Sequence, residues 1–333
     1  MTHPRPVGLL DPATHTWLTR HALPGALIHE VDPLSGGFTN DMSLLTIRRP
    51  DAAGAERYVL RHHRPCVSRF PRNTCAVEIA VLGRAAARAV PVTAVVAADP
   101  QGRATGRPTL LYRFVEGILL SQVLADGPAS GEARALGRAV GAVLAGIGRV
   151  ELLRPGVFGD SSLVPAPDGA DTLSDLPGFV DHCLVTGASD GPLSGADSAM
   201  LRALARRGPV ALAAVAGEQN LVHGDFNPKN VLMRRRAGQW AVAAVLDWEL
   251  AFSGSPLFDV GNMLRFAHEY PPAFTAGFVD GFRGGNGRLP ADWLRLSRTL
   301  DLFALADILT APPDSAYFAR ARAVLRRSAA DRH

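Results

Sequence analysis

The octapeptide His223-Gly224-Asp225-Phe226-Asn227-Pro228-Lys229-Asn230, with the apolar run at residues 242–246 that ends in Asp247, carries the strongest chemical signal in the chain. The proline inside the octapeptide disfavours a regular helix, so we expect Asp225 and Asn230 on a loop. The apolar run is typical of a buried strand, and Asp247 marks its exit. This set suits phosphoryl transfer, in which one carboxylate takes a proton from the acceptor while a second carboxylate and an amide oxygen hold Mg²⁺.

Two separated halves of this region agree with one known pattern. The first is His-Gly-Asp, four further residues and Asn; the second is the apolar run to Asp247, then Trp248-Glu249, Ser255-Pro256 and Phe258-Asp259-Val260-Gly261-Asn262. Together they resemble the aminoglycoside phosphotransferase family, the protein-kinase-like small-molecule kinases, and most closely the hygromycin-type phosphotransferases. The resemblance implies an α+β, protein-kinase-like fold with two lobes. Residues 1–116 would form an N-lobe of five antiparallel strands and one helix, and residues 117–333 a mostly helical C-lobe.

The resemblance also implies roles for individual residues. Asp225 would orient and deprotonate the acceptor hydroxyl, Asn230 and Asp247 would bind Mg²⁺, and His223 would support the loop. Lys229 is the only lysine in the chain, which suits either a point charge near the γ-phosphate or a solvent-facing loop residue. The candidate catalytic residues are therefore Asp225, Lys229 and Asn230. The expected cofactors are Mg²⁺ and ATP, with GTP as the alternative.

The first third of the sequence supplies the expected nucleotide contacts. A strand, a glycine-rich turn and a second strand are predicted at residues 31–47, and the glycines would let backbone N–H groups approach phosphate oxygens. By the resemblance, Arg61 takes the place of a lysine on the third strand and pairs with Glu78 of the next helix, and residues 112–117 form the hinge that binds adenine. A guanidinium can bridge phosphate oxygens. The candidate cofactor-binding residues are Ser35, Gly36, Gly37, Phe38, Thr39, Asn40, Arg61, Glu78, Tyr112, Phe114 and Val115.

The acceptor is expected to lie against acidic residues. Residues 155–201 contain seven aspartates and no lysine or arginine. This composition is typical of a solvated linker, or it forms an acidic wall that attracts a cationic acceptor; both interpretations stay open. Glu269 and Asp280 lie where the resembling family often places acceptor-binding acids, and Glu249, close to the metal aspartate, is the third candidate.

The bulk properties bound the class of protein. The chain has 333 residues, of which 47% are hydrophobic and 20% charged, with a formal net charge of +4. No apolar stretch is long enough to span a bilayer, and the arginines are not interleaved with aromatic residues, so we expect neither a membrane nor a nucleic-acid partner. Cys66, Cys75 and Cys183 form neither a metal motif nor an even disulfide set, which favours a cytoplasmic protein. We expect a monomer or a homodimer.

These features predict Mg²⁺–ATP-dependent phosphorylation of a hydroxyl on a small, cationic or sugar-bearing antibiotic, serving resistance or self-protection. One alternative is a metabolic small-molecule kinase for choline, homoserine or a related amino alcohol, because the catalytic motif is shared and only the acceptor pocket differs. A second alternative is a non-catalytic nucleotide-binding regulator, which the departure from lysine at Arg61 leaves open.

Overall fold

The computed structural model describes residues 10–34, 40–50, 54–64, 72–165, 175–187, 193–310 and 316–330. Five of the candidate phosphate-binding residues, Ser35, Gly36, Gly37, Phe38 and Thr39, lie outside these ranges. Cys66 and part of the acidic segment also lie outside them. No helix among the described residues is long and apolar enough to cross a membrane.

A five-stranded antiparallel sheet forms the N-terminal part of the described chain, in the order β1-β2-β3-β5-β4. Its strands are Leu27–Pro33 (β1), Asp41–Arg48 (β2), Ala55–His62 (β3), Val95–Asp99 (β4) and Thr109–Arg113 (β5). Alternation along β2 and β3 places Leu45, Ile47, Tyr58 and Leu60 in one buried cluster. That face packs on the helix Pro12–Trp17 (α1) and the π-helical turn Leu18–Ala22, so the predicted N-lobe sheet is confirmed.

The helix that follows β3 connects the sheet to the larger core. Cys75–Ala86 (α2) begins at Thr74, whose side chain accepts a hydrogen bond from the Val77 N–H. Val77 and Val81 are buried in the core that also contains the C-terminal helices. Because β3 lies in the centre of the sheet, between β2 and β5, this packing places Glu78 of α2 against a side chain of the central strand.

The rest of the chain is mostly helical, as predicted for the C-lobe. The helices are Leu120–Ala125 (α3), Ser130–Gly148 (α4), Leu176–Thr186 (α5), Gly195–Ala205 (α6), Gly208–Leu212 (α7), Leu257–Leu264 (α8), Pro272–Gly284 (α9), Trp293–Thr310 (α10) and Ala316–Ala330 (α11). Short strands lie between them: Ile118–Leu119 (β6), Asn220–Val222 (β7), Val231–Arg236 (β8), Gln239–Val245 (β9) and Phe252–Gly254 (β10). They pair as β6-β8-β9 and β10-β7.

Two local expectations differ from the structure. The linker interpretation of residues 155–201 is wrong for the described part, since α5 lies there and buries Phe179, Val180 and Cys183. The sequence also predicts one helix at residues 197–216, where the structure has two, α6 and α7, because the chain breaks before Gly208-Pro209. Proline removes a backbone donor and favours such a restart at the first turn of a new helix.

Candidate active site

The loop between β7 and β8 carries the octapeptide, and backbone geometry at Gly224 shapes it. Gly224 has φ +84°, and a Cβ there would lie 2.2 Å from the Leu250 carbonyl oxygen, so only glycine fits. The backbone N–H groups of His223 and Gly224 donate to the carboxylate of Asp259, at 2.7 and 3.0 Å. Asp259 belongs to α8, so this helix holds the loop in place.

His223 supports the loop as a neutral side chain. Its Nε2–H donates to the Leu246 carbonyl oxygen at 2.8 Å, and its Nδ1 accepts from the Asp225 N–H at 3.2 Å. Burial lowers the pKa of His223 to about 4. The imidazole thus joins the start of the loop to the end of the strand before Asp247, in agreement with the structural role expected for it.

Asp225 is held by two side-chain amides. Asn227 donates to one carboxylate oxygen and Asn230 to the other, each at 2.8 Å. Burial, with the nearby charge of Asp247, raises the pKa of Asp225 to about 7. A fixed carboxylate with that pKa can exchange a proton near neutral pH, which is the property that a general base needs.

Asp247 lies at the exit of β9 in an unusual backbone conformation. Its φ of 63° and ψ of 67° are in the left-handed region, which non-glycine residues adopt at a cost and mostly at functional sites. The preceding Leu246 N–H donates to the Asn230 carbonyl oxygen at 2.8 Å, so the two predicted metal ligands are joined by the backbone. Burial raises the pKa of Asp247 to about 6.

Arg61 connects the sheet to this loop. Its guanidinium contacts Glu78 at 2.9 Å and Asp247 at 3.1 Å. Tyr112 donates its hydroxyl to the same Glu78 oxygen, at 2.7 Å. Arg61 and Glu78 are 5% and 2% exposed at the side chain, so the pair is shielded from water. The structure therefore brings together the arginine and the glutamate that the resemblance pairs.

Glu249 is buried between the two parts of the protein. It accepts hydrogen bonds from Arg61 at 2.5 Å, from Asn40 at 2.8 Å and from Arg72. Its backbone carbonyl accepts from the Asn73 N–H at 2.7 Å. The structure thus places this acceptor candidate next to Arg61, on the side of the site where the nucleotide contacts are predicted, here called the nucleotide side. Arg72 and Asn73 were not found from the sequence, because no local motif marks them.

The expected hinge residues take different positions. Tyr112 lies beneath the sheet with its hydroxyl on Glu78. The Phe114 N–H donates to the Arg57 carbonyl oxygen at 3.1 Å, and the Arg57 guanidinium lies 4.2 Å from the Phe114 ring centroid. Val115 is half-buried and follows directly. The side chain of Tyr112 therefore braces the Arg61–Glu78 pair, whereas Phe114 and Val115 lie at the connection to the helical part.

The donor set at Asn230 and Asp247 fits a magnesium ion bound together with a nucleotide. Asn230 uses Nδ2 for Asp225, which leaves its amide oxygen, and Asp247 adds a carboxylate; both are hard oxygen donors. No group of three His, Cys, Asp or Glu that could hold a metal occurs within the described ranges. Arg61 Nε has no hydrogen-bond partner there although it is buried, which fits a site that phosphate oxygens complete.

A pocket of about 50 Å³ adjoins the other side of the catalytic loop. Asn227, which bonds Asp225, forms part of its wall. Its charged and aromatic lining comprises Lys229, Arg265, Phe266, Tyr270, Tyr317 and Arg320. The ammonium of Lys229 lies 3.9 Å from the ring centroid of Tyr317. The sequence did not indicate Arg265 or Tyr317, since both reach the pocket through helix packing.

The two other candidate acceptor acids are already paired. Glu269, in the 3-10 turn Ala267–Glu269, binds Arg320 through contacts of 3.0 and 2.5 Å at the edge of the pocket. Asp280 of α9 binds Arg134 of α4 at 2.5 Å and does not line the pocket. The structure thus brings Asp225, Asn230, Asp247, Arg61 and Glu78 together and places Lys229 in the lining of the pocket. Glu269 reaches only the edge of the pocket, through Arg320, and Asp280 lies away from it.

Solved structures share this fold. A thermostable mutant of aminoglycoside phosphotransferase APH(4)-Ia, in a ternary complex with AMP-PNP and hygromycin B, has a TM-score of 0.66 at 19% identity, covering 96% of this chain and 98% of that one. The GDP complex of wild-type aminoglycoside 2'-phosphotransferase-IIIa has a TM-score of 0.62 at 16% identity, covering 96% and 98%. These likenesses confirm the predicted kinase-like fold.

A short sequence match and a family model place the chain among known sequences. Acyl-CoA dehydrogenase family member 11 of Pongo abelii is 43% identical over 49 residues, which are 15% of this chain and only 6% of that protein. The family model described as "Phosphotransferase enzyme family" matches residues 30–297. That range contains Arg61, Glu78, Asp225, Asn230 and Asp247, the residues that the fold brings together. With strands β2 to β5, the loop between β7 and β8 and the metal-type donor set all inside the matched range, the chain belongs to the phosphotransferase enzyme family.

Proposed function

We propose that the protein transfers the γ-phosphoryl group of Mg²⁺–ATP to a hydroxyl of a small molecule. The observation that carries this proposal is the position of Asp225, whose two carboxylate oxygens each accept an amide hydrogen bond at 2.8 Å, next to Asp247. Such a carboxylate is oriented and has a pKa suited to accepting a proton. A regulator that only binds nucleotide has no need for this arrangement.

In the proposed reaction, the acceptor hydroxyl gives its proton to Asp225. A bond forms between the acceptor oxygen and the γ-phosphorus, the bond to the bridging oxygen breaks, and ADP leaves. Arg61, held by Glu78 at 2.9 Å, would bind phosphate oxygens. Asn230 and Asp247 would hold Mg²⁺, which supplies charge neutralisation on the phosphates when bound. Residues 35–39 would cover the phosphates, and residues 112–115 would border the adenine.

The nucleotide and the acceptor are separate parts of the proposal. One structurally similar protein is complexed with AMP-PNP and another with GDP, so we propose ATP with GTP as the alternative. Hygromycin B, bound by the first, favours an antibiotic acceptor and a role in resistance or self-protection. A metabolic acceptor is the second candidate, because the pocket beside Asn227 is small and partly aromatic. We place the reaction in the cytoplasm, by a monomer or homodimer.

A panel assay tests the proposal. Purified protein would be incubated with Mg²⁺, ATP or GTP, and single acceptors (hygromycin B, kanamycin, choline, homoserine and hydroxy acids), and products would be read as a phosphate-sized mass gain. The matched variant is Asp225→Asn, which keeps the size of the side chain and removes the base. Transfer by the wild type and none by the variant supports the proposal. Nucleotide binding with no transfer to any acceptor would favour the regulator instead.

A further inference from the structure

The charges around the acceptor pocket are opposite to those expected for a polycation site. Three cationic side chains line it, namely Lys229, Arg265 and Arg320, and no aspartate or glutamate among the described residues does. A cationic acceptor would approach three like charges before it reached Asp225. Any attraction for a cationic acceptor would therefore have to come from the acids predicted to bind it.

Five of those acids pair with arginines, whereas Asp160 and Asp175 accept hydrogen bonds from the backbone N–H groups of Ser162 and Gly178. Glu249 bonds Arg61 and Arg72 on the nucleotide side, and Asp280 bonds Arg134. The acidic segment behaves in the same way. Its described pairs are Asp181 with Arg202, and Asp197 with Arg322 and Arg326. Within the described ranges, these carboxylates stabilise packing between elements and do not face the pocket as an acidic wall.

The pocket cations differ in how far their charge is compensated. Arg265 binds Asp301 through Nε at 2.9 Å and Nη2 at 2.6 Å, and both side chains are under 5% exposed. Arg320 binds Glu269 through two hydrogen bonds. Lys229 has no salt bridge to a carboxylate in the part of the chain that the structure describes, and its ammonium rests on the Tyr317 ring. The positive charge of the exposed Lys229 is thus the pocket charge that these described pairs leave without a carboxylate, and its ammonium is held by a cation–π contact.

The rest of the wall is apolar. Phe266, Tyr270 and Tyr317 line the pocket, and the Phe266 and Tyr317 rings meet edge to face with centroids 5.9 Å apart. Aromatic walls of this kind bind flat or aliphatic groups by burying their surface. The wall therefore suits an acceptor with an apolar body more than a heavily hydrated aminoglycoside.

We propose that the acceptor is an anionic hydroxy compound, such as a hydroxycarboxylic acid, whose anionic group lies near Lys229 and whose apolar body lies against the three aromatic rings. This inference rests on the proposed phosphotransferase function and names the acceptor class. The hydroxyl of such a molecule would point toward Asp225 past Asn227, which links the pocket to the base.

Matched probes test the acceptor class. 3-Phenyllactate and 3-phenylpropane-1,2-diol differ in that a carboxylate replaces a neutral CH₂OH group, and hygromycin B, kanamycin and choline are the cationic probes. Mandelate and 2-hydroxyoctanoate extend the acid set. We expect kcat/KM to be highest for a hydroxy acid, and at least about tenfold higher for 3-phenyllactate than for the diol. Faster transfer to a cationic probe, equal transfer to acid and diol, or no transfer to any hydroxy acid overturns the inference.

Substitution of Lys229 tests the placement of the charge. The measured quantity is the ratio of kcat/KM for 3-phenyllactate to that for the diol, in which any general effect on catalysis cancels. Lys229→Gln should lower this ratio by about tenfold, mainly through KM for the acid, and Lys229→Arg should restore most of it. Arg236→Gln, at an exposed arginine at the end of β8, is the control and should leave the ratio unchanged. An unchanged ratio in Lys229→Gln overturns the placement.

Calorimetry of Mg²⁺–ATP binding separates this inference from the proposed function. Failure to bind nucleotide contradicts the phosphotransferase proposal itself. Normal nucleotide binding together with transfer to hygromycin B, kanamycin or choline in preference to the acids leaves that proposal standing and contradicts only the anionic acceptor.

Discussion

The two sides of Asp225 carry opposite charge although both are built from arginine–carboxylate pairs. On the nucleotide side, Arg61 and Arg72 face three carboxylates, those of Glu78, Asp247 and Glu249. On the proposed acceptor side, the described carboxylates that pair with cations of the pocket are those of Asp301 and Glu269, apart from Asp225 itself, whose charge acts on Arg265. One side has a carboxylate in excess and the other has a cation in excess.

This difference would allow Asp225, as the proposed base, to serve two unlike ligands. An excess carboxylate suits a site that must accept Mg²⁺ as well as phosphates, since the metal adds two positive charges. An excess cation suits an anionic acceptor and directs it toward the other side of Asp225. Burial strengthens both effects, because charges are screened less away from water. A substitution on one side should therefore change the binding of one ligand and leave the binding of the other unchanged.

Asp225→Asn should produce the largest effect, because Asp225 lies between the two sides and is the proposed base. We expect kcat to fall by about 10²–10⁴-fold, the range that general-base catalysis supplies, while nucleotide and acceptor binding change only a few-fold. Steady-state kinetics and calorimetry measure the two quantities. Asp126→Asn, at an exposed residue after α3, is the control. A kcat within threefold of the wild type would exclude Asp225 as the base.

Arg61→Met should affect the nucleotide side alone. Removing this guanidinium leaves the buried Glu78 and Glu249 without their shared cation, which should lower the unfolding free energy by about 3–5 kcal/mol. We also expect nucleotide Kd to rise by at least about tenfold, because a direct charge contact to phosphate is lost. Urea denaturation and calorimetry measure the two effects.

The matched control for Arg61 is Arg265→Met on the acceptor side. The side chains of Arg265 and Asp301 are 3% and 4% exposed, against 5% and 2% for Arg61 and Glu78, so the loss of stability should be similar. Nucleotide Kd should stay within about twofold of the wild type, since Arg265 contacts the pocket instead. If the two variants weaken nucleotide binding equally, the two sides do not act separately.

The site residues that the family resemblance located lie within one motif or on neighbouring elements of the chain. Asp225 and Asn230 share one loop, and Arg61 and Glu78 lie on consecutive elements of the predicted sheet and helix. Arg265 and Asp301 lie 36 residues apart and meet only when α8 packs on α10. No local sequence pattern predicts such a contact.

The acidic segment, residues 155–201, shows that local sequence also does not predict which charges the fold pairs. Its composition without basic residues is typical of a solvated linker or of an acidic wall that attracts a cationic acceptor. Asp197 instead binds Arg322 and Arg326, which arrive from α11, 125 and 129 residues further along the chain. Local composition therefore reports the charges that a segment carries, but not the charges that the fold brings to it.

Three largely buried histidines should make the stability of the protein depend on pH, whereas no histidine among the described residues lines the pocket beside Asn227. Burial lowers the pKa of His62, His63 and His223 to about 4, against about 6.5 in an unfolded chain. Between those values the unfolded chain binds more protons. Each histidine therefore contributes a loss of stability as the pH falls below about 6.5, of about 2 kcal/mol between pH 7 and pH 5. The raised pKa values of the buried Asp225, Asp247 and Asp259 act in the opposite direction, so the histidine contribution is measured by comparing variants.

Urea denaturation at pH 7, 6 and 5 checks this slope, with His62→Gln as the test variant. His62 bonds the Thr109 hydroxyl at 2.8 Å, so the variant should be less stable than the wild type at pH 7, and this difference in stability should shrink as the pH falls to 5. His182→Gln, at an exposed position on α5, is the control and should keep the wild-type slope. Equal slopes in the wild type and His62→Gln would contradict the assignment.

Glu269→Gln should give the smallest effect and the sharpest contrast between the two interpretations of the pocket. It releases Arg320 from its carboxylate and adds positive charge at the pocket edge, so KM for 3-phenyllactate should fall by about twofold. If Glu269 instead binds a cationic acceptor, KM for hygromycin B or choline should rise in the same variant. Asp280→Asn is the control, because Asp280 is 39% exposed against 38% for Glu269, pairs with Arg134 at the same 2.5 Å, and lies outside the pocket. A change in KM that is equal in both variants would show that the effect comes from the overall charge of the protein and not from the pocket.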